Sequence, residues 1–296
     1  MAKKILSLRH LGHENFWKII YDAGQLSSHT CKNEALKGKQ VCVLLAGNHT
    51  EERDILLQAV ADMGGQSHCV SVDVTESNDT TKILQALAAH PADLCVSYGV
   101  ARAALEVITE ALPMPLLCGS SNDARIGAVL GDLTLLRTLY PDMDTLRIAW
   151  VGGATPLAHS LIEAAMYVPY ELFMALPEWG EPDRNLLGLA FTAGAKIFLT
   201  REIHLALDEA HFVYGGIGPA AREDGIQLLR AGLTVDEKAM ALARPEARLL
   251  MGTAQLSACR VTASLMQSPV SLRQEQEAYT LRALKVLVPW LLNSME

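Results

Sequence analysis

A polar stretch with the residue types of acid–base chemistry follows the first strongly apolar run of the chain. Asn48-His49-Thr50-Glu51-Glu52-Arg53 combines an imidazole, two carboxylates and a guanidinium. Positioned side chains of these types transfer protons in many active sites. The same stretch has features of a helix start, because Glu51 follows Asn48 by three residues and acids suit the first helical turn. An acid–base cluster and a capped helix start with solvated acids both remain open.

Two glycine-rich turns are the other candidates for ligand contacts. Gly152-Gly153-Ala154 follows the predicted strand Leu146–Val151 and precedes a helix, and parallel sheets bind ligands at such strand ends. The turn lacks the third glycine and the later acid of a dinucleotide-binding loop, so we expect no nucleotide cofactor. Gly215–Pro219 also follows a strand and fits either an anion-binding turn or a flexible loop.

The cysteines and histidines do not form a metal-binding pattern, so we expect no metal. The six cysteines show neither CxxC nor CxxC…HxxxH spacing. His204 and His211 have no second ligand at metal-binding spacing and are expected at the surface. Buried structural thiols are predicted for the four cysteines in or beside apolar runs, which are Cys42, Cys69, Cys95 and Cys118.

Composition excludes several classes of function. Half of the 296 residues are hydrophobic, which is enough for a core without disulfides or metal. The net charge of −8, without basic clusters, argues against a nucleic-acid partner. No apolar run reaches the roughly 18 residues of a membrane helix, and Arg9 interrupts the first apolar segment too early for a signal peptide. We therefore expect a cytoplasmic protein with a small-molecule ligand and no membrane partner.

Predicted strands and helices alternate along the whole chain. The helices include His13–Ser27, Val235–Ala243 and the long Ser271–Leu292. The strands are Gln40–Ala46, His68–Val72, Leu94–Ser97, Leu116–Cys118, Leu146–Val151, Glu171–Ala175, Lys196–Leu199, His211–Tyr214 and Arg248–Met251.

This alternation predicts an α/β fold with two doubly wound parallel-sheet lobes, a cleft between them and a long C-terminal helix. The break at Tyr140-Pro141-Asp142 suggests the boundary. We expect an N-terminal lobe over residues 1–140, a C-terminal lobe over 141–270, and a helix over 271–296 that packs back on the N-terminal lobe. The ligand site is expected in the cleft.

Short motifs in order along the chain resemble the aspartate/ornithine carbamoyltransferase family. VGGATPLAHSLI at Val151–Ile162 is similar to the family's V-G-D-x-N-N-V-A-H-S-L, and LGDLTLL at Leu130–Leu136 is similar to L-A-D-L-x-T-I. Weaker matches occur at Ile5–Leu11, Leu36–Lys39, Met63–Gly65, Glu76–Thr80 and Ala210–Tyr214. The resemblance covers essentially the whole chain. It implies a carbamoyltransferase fold, a first lobe for carbamoyl phosphate, a second lobe for an amino acid, and a homotrimer.

The resemblance also implies that the family's phosphate-binding and catalytic groups are replaced. The S-T-R-T-R motif falls on His49–Arg53, where Glu51 replaces its first arginine and Glu52 its second threonine. A second phosphate-side arginine falls on Tyr98, and H-P-x-Q falls on Arg125–Ala128, without the polarising histidine. Asn122, Asp123 and Arg125 would face the same cleft, either as ligand contacts or as a polar loop and helix cap.

The amino-acid lobe departs from the family in the same way. The two asparagines of the N-N pair fall on Thr155 and Pro156. The D-x-W-x-S-M-G loop falls on the segment that begins at Gly216, the H-C-L-P loop on Met251–Ala254, and the arginine of Q-A-E-N-R on Thr280.

Three functions remain open from the sequence. The first is a divergent family member that binds or transforms another small metabolite, such as an amino acid or its derivative. The second is a catalytically inactive protein with an assembly or regulatory role. The third is an ornithine-like carbamoyltransferase in which Arg53, Arg102 or Arg125 refills the phosphate site. No catalytic residue is assigned, and the ligand-binding candidates are Asn48, His49, Thr50, Glu51, Glu52, Arg53, Tyr98, Asn122, Arg125, Thr155 and Gly216.

Overall fold

The computed structural model describes residues 3–26, 33–73, 79–216, 233–252 and 261–293. The chain divides into two units, the first made of Met1–Thr138 with Glu277–Glu296 and the second of Leu139–Gln276. Each unit contains one five-stranded sheet in which all neighbouring strands are parallel. The predicted α/β fold with two parallel sheets is therefore confirmed.

The sheet of the first unit has the strand order β1-β5-β4-β2-β3. The apolar run of β2 lies near the centre and is buried on both faces, as expected for a parallel sheet covered by helices. The strands are β1 (Lys4–Ile5), β2 (Gln40–Ala46), β3 (Gln66–Val72), β4 (Leu94–Tyr98) and β5 (Leu116–Ser120), and the helices are α1 (Gly12–Gln25), α2 (Thr50–Asp62), α3 (Thr80–Ala88), α4 (Arg102–Ala111) and α5 (Ile126–Leu139).

The sheet of the second unit has the order β10-β9-β6-β7-β8. Its core is formed by the inward side chains of the strands and by short helices, with Leu207, Val213 and Leu249 fully buried. The strands are β6 (Arg147–Val151), β7 (Glu171–Ala175), β8 (Lys196–Thr200), β9 (Phe212–Gly215) and β10 (Arg248–Met251), and the helices are α6 (Pro156–Ala164), α7 (Arg184–Thr192), α8 (Ile203–Leu207), α9 (Glu237–Met240) and α10 (Ala263–Met266).

The long last helix α11 (Arg273–Asn293) returns to the first unit. Lys285 of this helix forms a buried ion pair with Asp62 at the end of α2. Gly131 on α5 lies so close to the helix that an added Cβ would be 2.6 Å from the Thr280 backbone. None of the described helices contains a segment both long and apolar enough to cross a membrane.

Three details differ from the sequence prediction. The helix expected over Val235–Ala243 is limited to α9, because the Asp236 side chain caps it by accepting from the Ala239 N–H and Arg244 precedes a proline. Cys69 is exposed rather than buried, because β3 is the outer strand of its sheet; Cys42, Cys95 and Cys118 are buried as predicted. The two-residue strand β1 was not predicted.

Candidate functional site

The carboxyl ends of three neighbouring strands place the candidate residues of the first unit. β4 lies between β2 and β5, and Tyr98 at the end of β4 is in register with Leu45 of β2 and Ser120 of β5. His49 follows β2 and forms the N-cap of α2. The sheet therefore brings His49, Tyr98 and Ser120 together from three separate parts of the sequence, at the edge where parallel sheets bind ligands.

An ion pair between Glu52 and Arg125 lies at the centre of this site. Nη2 of Arg125 donates to Oε1 of Glu52 at 2.9 Å, and the two side chains are only 14% and 17% exposed, respectively. Nδ1 of His49 lies 3.6 Å from the same Oε1 atom. We call Glu52, Arg125, His49 and Tyr98 the Glu52 cluster. The structure thus brings together four of the predicted site residues, from α2, β4 and the start of α5.

The electrostatics of the cluster keep Glu52 charged and Tyr98 neutral at neutral pH. Burial raises the pKa of Glu52, but the interactions with His49 and with the Arg125 charge outweigh it, so that the net pKa is lowered. The pKa of Tyr98 is raised by burial and by the negative charge of Glu52. The site therefore contains a carboxylate already paired with a guanidinium, beside a neutral phenol.

Two glycines permit the close packing of the aromatic side chains. A Cβ at Gly119 would lie 2.4 Å from Cε1 of Tyr98, so the ring rests directly on the backbone of β5. A Cβ at Gly99 would lie 2.0 Å from the Ala46 carbonyl oxygen and 2.5 Å from Nε2 of His49, and Gly99 has a positive φ of 79°. The Tyr98 and His49 rings stack with centroids 6.2 Å apart.

The geometry does not support a Ser–His–Glu relay. Oγ of Ser120 lies 3.4 Å from Nδ1 of His49, which is the same nitrogen that faces Glu52. A relay requires the hydroxyl and the carboxylate to contact different ring nitrogens. What the cluster can do is bind a polar group of a ligand, through the carboxylate, the guanidinium or the imidazole.

The other residues of the stretch 48–53 are exposed or bond to near neighbours in the sequence. The Asn48 side chain accepts from Oγ1 of Thr50 at 2.7 Å, and both residues are exposed, which matches a helix start. Glu51 is exposed on the first turn of α2, so Glu52 rather than Glu51 is the acid at the centre of the site. Arg53 bonds to its neighbour Asp54.

Two polar residues of the loop after β5 have different structural roles. Arg125 joins the Glu52 cluster, whereas Oδ1 of Asn122 accepts from the backbone N–H of Arg102 at 3.0 Å and thereby caps α4. The Arg102 guanidinium bonds to the Leu6 carbonyl and to Glu106. Arg102 is therefore engaged in fixing the start of the chain, and Arg125 is the cation at the site.

In the second unit, the indole of Trp150 holds the glycine turn. Its Nε1–H donates to the carbonyl oxygens of Gly152 and Gly153, both at 3.2 Å. Gly216 lies against the same indole, since an added Cβ would be 2.8 Å from Nε1. Thr155 is buried and caps α6 by accepting from the Ala158 N–H at 3.3 Å. Thr155 and Gly216 thus have local structural roles here.

Sequence analysis missed Ser120, Gly119 and the contacts of Trp150. The predicted strand ends at Cys118, whereas Gly119 and Ser120 also belong to β5. Trp150 lies within the predicted strand Leu146–Val151, and its position two residues before the Gly152-Gly153 pair was the available signal. Ile217–Ala220, Thr253–Ala254 and Glu76–Asn78, on which three of the family motifs fall, lie outside the described residues. Among the residues that are described, no group of three or more potential ligands could hold a metal.

Comparison with known proteins gives a consistent result over the full length of the chain. The chain is 30% identical over 302 residues to an ornithine carbamoyltransferase of Nitratidesulfovibrio vulgaris, covering 98% of this chain and 99% of that protein. It is also 30% identical over 305 residues to one of Oleidesulfovibrio alaskensis, covering 99% and 100%. No protein-family model matches the chain.

Solved structures share the fold. Ornithine carbamoyltransferase from Thermus thermophilus superimposes with a TM-score of 0.83 at 24% identity, covering 99% of both chains. Ornithine transcarbamoylase from Giardia lamblia superimposes with a TM-score of 0.84 at 14% identity, covering 100% of both. The resemblance inferred from the short motifs is confirmed: this chain belongs to the aspartate/ornithine carbamoyltransferase family.

Proposed function

We propose that this family member has lost the usual carbamoyl phosphate site, and that it binds or transforms a different small metabolite at the carboxyl edge of its first sheet. The observation that carries the proposal is the ion pair between Glu52 and Arg125. Arg125 is the cation of the cluster, and it falls where the family is expected to have its polarising histidine. Its charge is already neutralised by a carboxylate of the same chain.

The ionised Glu52 opposes a phosphate at this position. A phosphate oxygen about 4 Å from the carboxylate meets a repulsion of about 4 kcal/mol per unit charge at an effective dielectric constant near 20. That energy corresponds to a factor of roughly a thousand in affinity. Because the pKa of Glu52 is lowered, protonation does not relieve the repulsion at neutral pH.

The same cluster favours a ligand with a positively charged or neutral polar group. The Glu52 carboxylate attracts an ammonium group, the neighbouring Arg125 charge offsets part of this attraction, and His49 supplies a further polar contact. Tyr98 contributes a neutral ring at the position of a second phosphate-side arginine. An amino acid or amino-acid derivative without a phosphate has this chemistry.

Isothermal titration with carbamoyl phosphate tests the proposal. We expect no binding to the wild-type protein below millimolar concentrations. Glu52→Gln removes the negative charge and releases Arg125 from the ion pair, so the affinity of this variant for carbamoyl phosphate should be at least tenfold higher than that of the wild type. Glu51→Gln is the matched control, because it neutralises the adjacent acid on the exposed side of α2 and should leave binding unchanged. Submillimolar binding to the wild type, or an equal gain in both variants, would contradict the proposal.

A second candidate is ornithine carbamoyltransferase activity, which is favoured by the full-length similarity to relatives of that name. This function requires Arg125 to leave Glu52 when carbamoyl phosphate arrives. Ornithine-dependent release of phosphate from carbamoyl phosphate by the wild-type protein would establish it and overturn the first proposal. No release, with binding of a member of an amino-acid panel, would support the first proposal. No binding at all would favour an inactive family member.

A further inference from the structure

A cavity lies between α1 and α11, the first and the last helix of the first unit. Its volume is about 370 Å³. This volume lies within the range of about 300–1,000 Å³ that is usual for small-molecule sites. The described residues that line the cavity are Lys18, Ile19 and Asp22 of α1 and Val286, Trp290 and Asn293 of α11.

The apolar walls of the cavity are held in place by neighbouring contacts. Ile19 is buried, and Val286 and Trp290 are half-buried. Nε1 of Trp290 donates to Oδ1 of Asn15 at 3.3 Å, and Nζ of Lys3 lies 3.6 Å from the centroid of the indole. Because these two contacts fix the indole, a ligand meets a wall that is already ordered, which reduces the entropy lost on binding.

Two opposite charges lie side by side at the polar rim of the cavity. Nζ of Lys18 donates to Oδ2 of Asp22 at 2.8 Å, and the two side chains are 60% and 37% exposed, respectively. Exposed pairs one helical turn apart contribute little to stability, so a ligand can separate them at small cost. A ligand with a single charge would leave Lys18 or Asp22 unpaired, whereas a zwitterion provides a new partner for each.

We propose that this cavity binds a free α-amino acid with an apolar side chain. The carboxylate of the amino acid pairs with Lys18 and its ammonium group pairs with Asp22. The apolar side chain lies against Ile19, Val286 and Trp290 and gains affinity by leaving water. An α-amino acid carries both charges and the side chain on one carbon atom, which matches an ion pair directly beside apolar walls.

The cavity is distinct from the Glu52 cluster. The described residues that line it belong to α1 and α11, whereas the cluster is formed by α2, β4 and the start of α5. An amino acid in the cavity therefore makes no use of Glu52 or Arg125. Binding at this second site is expected whichever ligand the Glu52 cluster takes.

Isothermal titration of the wild-type protein with L-leucine provides the first test. We expect a dissociation constant of about 1 mM or lower. Three related compounds should each bind at least tenfold more weakly: leucinamide lacks the carboxylate, N-acetyl-L-leucine lacks the ammonium charge, and glycine lacks the apolar side chain. Equal affinity for any of these compounds, or no binding of L-leucine at about 20 mM, would overturn the proposal.

Variants locate the L-leucine site. Asp22→Asn removes the partner of the ammonium group and Val286→Phe fills the cavity, so each should weaken L-leucine binding at least tenfold while circular dichroism stays unchanged. Asp54→Asn is the matched control, because Asp54 also pairs with a neighbouring cation, Arg53 at 2.8 Å, but on α2, and it should bind like the wild type. Loss of binding in Glu52→Gln, with wild-type affinity in Asp22→Asn, would place the amino acid at the Glu52 cluster. That result would overturn this second site and leave the proposed function intact.

Discussion

Replacing Lys285 with methionine should strongly destabilise the first unit. Lys285 on α11 pairs with Asp62 at the end of α2, and the two side chains are only 1% and 11% exposed, respectively. Methionine retains an unbranched stem of similar length, so the packing of the aliphatic part is largely preserved. The substitution therefore isolates the loss of the charge.

The expected loss of stability in Lys285→Met follows from the contacts that the Asp62 carboxylate retains. Removing one partner of a buried ion pair costs about 3–5 kcal/mol, because it leaves an uncompensated charge. Nε2 of Gln58 still donates to Oδ1 of Asp62 at 2.7 Å, and the carboxylate retains some contact with solvent. We therefore expect the lower end of the range, about 3 kcal/mol. For a domain of 150–250 residues this lowers the melting temperature by about 6–12 °C.

Urea denaturation followed by circular dichroism measures this loss. Lys37→Met is the control, because Lys37 also pairs with a carboxylate, that of Glu34 at 2.9 Å, but the two side chains are 70% and 73% exposed. Exposed pairs contribute little, so the control should stay close to the wild type. The double variant Lys285→Met/Asp62→Asn should recover part of the loss, since no unpaired charge remains. A loss below 1 kcal/mol for Lys285→Met would refute the reasoning.

Two further predictions concern the candidate site. Because the folded-state pKa of Glu52 is lowered, its contribution to stability is present above its unfolded pKa of about 4.3 and is lost as the pH falls through the lower folded value. The difference in unfolding free energy between wild type and Glu52→Gln should therefore shrink between pH 7 and pH 3 in urea titrations, and a constant difference would contradict it. Gly99→Ala should destabilise by about 3 kcal/mol or more, because of its positive φ and the 2.0 Å approach to the Ala46 carbonyl. Gly188→Ala on α7, where an added Cβ would have no atom within 4 Å, should stabilise the protein by about 1 kcal/mol. Changes in melting temperature of the same sign for Gly99→Ala and Gly188→Ala would refute the comparison.

The sequence predicted strands best where they contain a continuous apolar run, both inside a sheet and at its edge. The bounds of β2, β7 and β10 agree with the prediction to the residue. β1 could not be recognised from its two residues, because its pairing depends on β5, more than a hundred residues away along the chain. Its identity as a strand is a tertiary property rather than a local one.

The candidate site was predicted as a stretch of sequence but not as a cluster of side chains. Glu51 and Glu52 are adjacent acids in the first turn of α2, and local propensity does not distinguish them. The distinction comes from Arg125, which lies 73 residues further along and donates a hydrogen bond to Glu52. Similarly, Asn122 caps the start of α4, whereas Arg125 contacts Glu52 at the start of α2. Which helix start lies closer to each residue is set by the tertiary structure, and no local sequence pattern encodes it.

The discontinuous first unit constrains the order of folding during synthesis. Its sheet is made first, but α11, which carries Lys285, is synthesised only after the whole of the second unit. The Lys285–Asp62 contact joins residues 223 positions apart, so Asp62 is translated long before its partner. Domains usually fold in the order in which they leave the ribosome. Here the unit whose synthesis begins first is completed last. The surface of α2 that contacts α11 needs protection while the second unit is being synthesised.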